Sequence, residues 1–337
     1  MRAVWPSPAR PTSRRASRRV IGDYGVPAEP AWRDVDWPAA TRTAKIADRD
    51  VNYVELGEGE RTVVFIHGLG GSWQNWLENL PSTAAAGYRA IALDLPGFGR
   101  SEMPAEPISM TGFARTVDDL CDALGLGSVA IVGNSMGGFT AAEMAIRHPD
   151  RVERLVLVDA AGISTALGRN PISERVGKFL VTGVIGGGGT APSEAQLRAM
   201  LRRPGFVHLA MGVVARHPTL LSRELISEQM HSLGAPGFMP ALDAILNYEF
   251  LSRLGEIACP TLVIQGTEDV IVPLGDAYEF ERRIPKATTL LVEDTGHGPM
   301  FERPATFNRA LLEFLGQEIA PHEPTEQQSP VLARERA

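Results

Sequence analysis

Val129-Ala130-Ile131-Val132-Gly133-Asn134-Ser135-Met136-Gly137-Gly138 is the stretch that decides the fold of this chain. Its apolar run reads as a strand buried on both faces, and a helical pattern begins near Gly137, so a serine stands at a sharp strand-to-helix reversal. Such a reversal leaves its central residue strained and exposed, and Gly133 and Gly137 remove side chains that would collide there. The helix N-terminus adds free N–H groups and the positive end of a dipole, suited to a developing oxyanion. Ser135 is therefore the candidate nucleophile rather than an inert serine in a glycine turn.

A serine hydroxyl needs a base, and the base needs an acid to set its tautomer. Downstream, Asp269 ends Ile264-Gln265-Gly266-Thr267-Glu268-Asp269, and His297 sits in Asp294-Thr295-Gly296-His297-Gly298, each just past a predicted strand. The chain order Ser, Asp, His follows, and strand ends on one edge of a parallel sheet bring distant residues into one crevice. Glu268 and Asp159 are rivals for the acid. Asp159 ends the preceding strand but is followed by small apolar residues rather than a turn signal. For the oxyanion, Met136 follows the nucleophile, and the loop His67-Gly68-Leu69-Gly70-Gly71 after a second strand offers the N–H of Leu69. His67 is expected to brace that loop by hydrogen bonds.

Working outward, further apolar runs recur at Thr62–Ile66, Ala90–Leu93, Leu155–Val158, Thr261–Ile264 and Thr289–Val292. Helical patterns over 109–124, 137–148 and 301–315 give the β-α-β rhythm of an α/β fold with a mostly parallel sheet, and residues 43–57 read as a leading antiparallel hairpin. Between Gly162 and Pro260 that rhythm stops. Amphipathic stretches near 171–181, 193–203, 206–215, 219–232 and 239–253 predict a helical insertion, interrupted by Gly186-Gly187-Gly188-Gly189, which regular helix does not accommodate. Within it Phe206, Met211, Met230, Phe238 and Met239 are candidates to line an apolar pocket, against the alternative that they form the insertion's own core. The expected organisation is a core over 43–164 and 256–316, a helical cap over 165–255, and disordered segments at 1–42 and 317–337.

The composition narrows the function. Among 337 residues, 44% are hydrophobic and 22% charged, the values of a globular chain with a full core. A net charge of -7 gives no electrostatic reason to bind nucleic acid or anionic lipid. The first 22 residues carry six arginines and no acid, yet no apolar stretch follows Arg14-Arg15 or Arg18-Arg19, so a targeting peptide is not expected. No apolar run reaches 18 residues. Two cysteines, Cys121 and Cys259, suggest no disulfide framework and fit a reducing, cytoplasmic setting. The histidines lack metal-ligand spacing, and neither a metal nor another cofactor is expected.

Taken together, His67-Gly68-Leu69-Gly70, Asp94-Leu95-Pro96-Gly97-Phe98-Gly99, Gly133-Asn134-Ser135-Met136-Gly137-Gly138, Asp269 and Gly296-His297 resemble the α/β-hydrolase superfamily over about residues 43 to 316. The resemblance implies the α/β-hydrolase fold: an eight-stranded, mostly parallel sheet with helices on both faces and a cap inserted after strand six. The elbow, with Asn134, is similar to that of hydrolases cleaving carbon–carbon bonds in meta-cleavage products of aromatic degradation. Trp73 and Asn75 resemble that group's loop, and Arg202 its substrate-binding cap arginine. Gly298 departs from the Trp that the group usually places after its histidine. Esterases, thioesterases and lactonases share the pattern, as do cofactor-free haloperoxidases, whereas dehalogenases and epoxide hydrolases have aspartate at the nucleophile position. The expected function is hydrolysis of a hydrophobic small-molecule ester through an acyl-enzyme at Ser135. Carbon–carbon hydrolysis of a diketo acid is the first alternative, and binding without turnover is a more distant one.

Overall fold

Strands apolar on both faces need cover on both, and the core divides accordingly. A computed structural model of the chain describes residues 23–25, 31–166, 199–230, 232 and 234–316. Its strands are β1 (Thr41–Ile46), β2 (Arg49–Leu56), β3 (Thr62–Ile66), β4 (Arg89–Leu93), β5 (Val129–Asn134), β6 (Val152–Val158), β7 (Thr261–Gly266) and β8 (Ala287–Val292). They form one sheet in the order β1-β2-β4-β3-β5-β6-β7-β8. Strand β2 pairs antiparallel with β1 and β4, and every other pairing is parallel.

Alternate residues of the strands feed two cores. Val64, Ile66, Ile131, Leu155 and Val263 pack beneath the helices Met110–Ala123, Met136–Arg147 and Leu274–Arg283. Val63, Phe65, Val132, Val156 and Ile264 pack beneath Leu80–Ala85 and Pro304–Gly316. This period of two, with both phases apolar, is why the strands read as continuous hydrophobic runs. The order also reverses at β3, whose neighbours β4 and β5 lead to opposite edges, and ligands bind at the carboxyl ends of strands around such a switch point.

The predicted runs all became strands, and the expected hairpin is β1–β2, turned by Ala47 and Asp48 at φ 46° and 61°. Helices Leu80–Ala85 and Leu274–Arg283 were not anticipated; the second, Leu-Gly-Asp-Ala-Tyr-Glu-Phe-Glu-Arg-Arg, buries only Asp276, Ala277 and Phe280, too narrow an apolar stripe to register as a period. Between β6 and β7 the described residues hold helices Pro204–Met211, Arg223–Gln229 and Phe238–Asn247 and no strand. The stretch 171–181, most of 193–203 and the glycine run 186–189 lie outside the described residues, as does the segment 317–337.

The expected disordered segment 1–42 needs correction at residues 23–25 and 31–42. Tyr24 and Trp32 are buried, Trp32 Nε1 donates to Glu78 Oε1 at 2.9 Å, a helical turn spans Trp37–Ala40, and β1 begins at Thr41. Isolated aromatic anchors carry this segment, and single anchors leave no periodic signal in a stretch rich in Arg, Pro and Ala. No helix of the described residues is long and apolar enough to cross a membrane.

Candidate active site

Ser135 caps helix Met136–Arg147 with φ 54° and ψ -116°, a backbone conformation that a non-glycine residue holds only where its surroundings enforce it. The enforcement is visible. Ser135 N–H donates to Val158 O at 2.9 Å, while Ser135 O accepts from Phe139 N–H at 3.0 Å and Ala161 N–H at 3.1 Å. A Cβ on Gly133 would lie 2.1 Å from Gly137 O, and one on Gly137 would lie 2.2 Å from Ile66 O, so neither position accepts a side chain.

His297 and Asp269 meet as their strand ends require. His297 Nδ1–H donates to Asp269 Oδ2 at 2.7 Å, with both side chains almost fully buried. Asp269 also accepts from Gln265 Nε2 at 3.1 Å and from the N–H groups of Ile271 at 2.7 Å and Val272 at 3.1 Å. Nδ1 being engaged, Nε2 is the ring nitrogen left for proton transfer, and Ser135 and His297 line one pocket.

Asp159 stands beside this pair. One ligand atom from each of Asp159, Asp269 and His297 falls within 4.8 Å of the others, and Asp159 is fully buried at φ 43°. Its Oδ1 accepts from Gly266 N–H at 2.8 Å, but its Oδ2 finds no donor among the described residues. Four donors serve Asp269 and one serves Asp159, so the negative charge resides on Asp269. Burial, and then the adjacent charge of Asp269, raises the pKa of Asp159 well above the ordinary carboxylate value. The other rival, Glu268, is exposed and lies 3.9 Å from Arg216.

A raised acid binds its proton more tightly in the folded than in the unfolded chain, so its stabilising contribution is complete below the unfolded pKa near 3.9 and is lost as pH rises through the folded value. Asp159→Asn removes this loss. Its melting temperature is expected to gain on wild type as pH rises from 4 to 8; a constant difference across that range contradicts a protonated Asp159.

The β3 loop supplies the other wall. Gly68 lies against the elbow, where an added Cβ would sit 2.9 Å from Asn134 Oδ1 and 3.3 Å from Ser135 Cβ. The N–H groups of Leu69 and Met136 make no hydrogen bond to any described residue, so both are available to an oxyanion. His67 braces the loop as expected: Nδ1–H donates to Gly68 O at 2.7 Å, and Nε2 accepts from Leu95 N–H at 3.0 Å. Burial lowers its pKa and keeps it neutral for both bonds.

The pocket above Ser135 has a volume of about 150 Å³. Leu69 lines it from the core, and Met211, Met230 and Phe238 line it from the residues between β6 and β7. Phe206 is absent from the lining and Met239 is 61% exposed. Asn75 and Asn134 both reach the pocket, Asn134 while donating from Nδ2 to Val158 O and His297 O, each at 3.2 Å. Gln229 is a lining residue that sequence reasoning missed. Its Oε1 accepts from Asn75 Nδ2 at 2.8 Å and its Nε2 donates to Gln74 O at 2.8 Å, and only a periodicity assigned to the right helix face would have marked it.

Two of the expected substrate-binding residues lie off the described pocket lining. The ring of Trp73 stands 4.8 Å from that of Trp37, and its backbone N–H donates to Asp94 Oδ1 at 2.8 Å. Arg202 is exposed and off the described pocket lining, while the neighbouring Leu201 is buried in the turn before helix Pro204–Met211.

The family profile described as alpha/beta hydrolase fold matches residues 61–304. The chain is 33% identical over 297 residues to a 2-hydroxy-6-oxononadienedioate/2-hydroxy-6-oxononatrienedioate hydrolase of Pseudomonas putida, covering 84% of this chain and 98% of that one. It is 32% identical over 298 residues to a 2-hydroxy-6-oxo-6-phenylhexa-2,4-dienoate hydrolase of Comamonas testosteroni, covering 82% and 96%. Among solved structures, a meta-cleavage product hydrolase from Pseudomonas fluorescens superposes with a TM-score of 0.63 at 26% identity, covering 81% of this chain and 97% of that one.

Proposed function

Because the chain belongs to the α/β-hydrolase family, we propose that this hydrolase cleaves a carbon–carbon bond in a vinylogous diketo acid of the meta-cleavage type, using Ser135, His297 and Asp269. The observation that carries the choice of bond is the pair Asn75 and Asn134 at the pocket with Ser135, in a chain whose relatives of near-equal length carry that chemistry in their names. Ester hydrolysis, which the sequence placed first, shares the triad and the oxyanion hole but has less specific support.

In the proposed reaction His297 Nε2 takes the proton of Ser135 Oγ as Oγ bonds to the ketone carbon. The N–H groups of Leu69 and Met136 hold the oxyanion, and Asp269 keeps Nδ1 protonated and stabilises the imidazolium. Collapse of the tetrahedral adduct breaks the adjacent carbon–carbon bond. Its electron pair passes into the conjugated oxo acid as a dienolate, which receives the proton from His297. Water, deprotonated by His297, then attacks the acyl-enzyme ester, releasing the second acid and returning the proton to Ser135.

Ester hydrolysis is kept as a second reading on one observation: apart from Asn75, Asn134, Ser135, Gln229 and His297, the described lining is apolar or glycine and carries no Lys or Arg. A carboxylate there meets amides rather than a cation. Steady-state rates on 2-hydroxy-6-oxo-6-phenylhexa-2,4-dienoate and on short- and long-chain p-nitrophenyl esters separate the two. The dienoate is expected to lead in kcat/KM by about tenfold or more, a transition-state preference of about 1.4 kcal/mol. A lead of that size for an ester reverses the assignment. Arg202→Ala, an exposed substitution off the pocket, is expected to leave kcat/KM on both substrates within about twofold. A collapse confined to the dienoate would bring Arg202 back as its carboxylate partner.

A further inference from the structure

Glu302 is a fully buried acid outside the proposed triad, and its carboxyl group is where three separate parts of the chain converge. Its Oε1 accepts from Gly298 N–H at 3.1 Å, and its Oε2 accepts from Gly296 N–H at 3.1 Å, so the residues on either side of His297 are bridged by one carboxyl group. Oε2 also accepts from Arg216 N–H at 2.7 Å, in the segment between β6 and β7, and from Tyr24 Oη–H at 2.5 Å, in the N-terminal segment. The same two segments touch the site a second time. His297 N–H donates to Val214 O at 2.9 Å, and Gly25 N–H donates to Glu302 O at 2.8 Å.

We infer that Glu302 is a positioning residue for His297, and that through it Tyr24 and the Val214–Arg216 segment set where the imidazole stands; this rests on the serine-hydrolase reading above. Among the described residues, four donors and no acceptor bond to the carboxyl group, an arrangement that only a carboxylate satisfies in full. Burial raises the pKa of Glu302, and the hydrogen bonds from Tyr24, Arg216, Gly296 and Gly298 oppose that rise. Tyr24 is held as a neutral donor, since burial and the neighbouring charge of Glu302 both raise its pKa. Tyr24 Oη in turn accepts from His217 N–H at 2.7 Å. The N-terminal segment is pinned beside it, where Asp23 pairs with Arg303 at 2.5 Å and accepts from the Thr306 hydroxyl.

Glu302→Gln forces an NH2 group against donors whichever way the amide turns, so the loop carrying His297 must shift. The test counts active sites in each variant by labelling to completion with a fluorophosphonate, then measures kcat per labelled site and KM on whichever panel substrate the wild type turns over. Because a displacement of about 1 Å at a reacting group costs on the order of 100-fold, Glu302→Gln is expected to lose about 10- to 100-fold in kcat per site, with KM within about threefold. Tyr24→Phe, which removes one donor and keeps the ring, is expected to lose about three- to tenfold in the same parameter, and Glu302→Asp to fall between wild type and Glu302→Gln. Values of kcat per site within about twofold of wild type in Glu302→Gln, whatever its melting temperature, overturn the inference. If Glu302→Gln does not fold, Tyr24→Phe decides by the same twofold criterion. A wild type that takes no label at Ser135 sinks the serine-hydrolase reading itself, an outcome distinct from a labelled wild type with unaffected variants.

Discussion

Ser135→Ala is expected to lower kcat by about 10⁴- to 10⁶-fold while leaving substrate affinity within about twofold. The size of the loss follows from the reaction proposed. Without Oγ there is no acyl-enzyme, and the oxyanion N–H groups of Leu69 and Met136 have no tetrahedral adduct to stabilise beyond what direct water attack provides. Affinity is spared because the pocket walls, including Met211, Met230 and Phe238, are untouched. The variant keeps the backbone strain, since alanine at φ 54° carries the same Cβ as serine, and its melting temperature should stay close to that of wild type. Single-turnover kinetics beside equilibrium binding of the same substrate separate the two effects. Turnover within about tenfold of wild type would remove Ser135 as nucleophile.

Asp269→Asn and Asp159→Asn, compared side by side, are expected to differ by about three orders of magnitude. Asp269 accepts His297 Nδ1–H at 2.7 Å, and an amide there presents either a donor or a weak acceptor, so the ring no longer holds the tautomer that leaves Nε2 free to accept a proton. Loss of the acid in such a triad costs on the order of 10⁴-fold in kcat. Asp159 in its neutral form already has the shape and charge of asparagine, and its hydrogen bond from Gly266 N–H at 2.8 Å survives if the amide oxygen takes the place of Oδ1. Its loss should stay within about tenfold. A large loss at 159 with a small one at 269 would transfer the acid's role to the end of β6.

The strands were legible because β3 to β7 are buried on both faces, which writes each of them as an unbroken apolar run. The elbow was legible because its constraint is steric, and a constraint that only glycine meets at 133 and 137 leaves its mark in the sequence itself. His297 and Asp269 followed from strand order, since a parallel sheet fixes which strand ends share an edge. Side chains on the pocket wall obey no such rule. Trp73, packed beside Trp37, and the exposed Arg202 lie off the described lining, whereas Gln229 reaches it. Glu302 was hidden more deeply. Its four donors come from residues 24, 216, 296 and 298, and three of them are backbone N–H groups that no residue identity announces. The part played by Asp159 was half visible: the sequence marked it as a rival acid, but only the count of donors around each carboxyl group assigns the charge to Asp269.

The central claim is that Ser135 is an activated nucleophile, and the most direct measurement is reaction of the intact protein with a fluorophosphonate followed by peptide mass spectrometry. The account predicts one adduct per chain on the peptide containing Ser135, absent in Ser135→Ala and formed much more slowly in Asp269→Asn. No adduct, or an adduct on another residue at comparable rate, would contradict it.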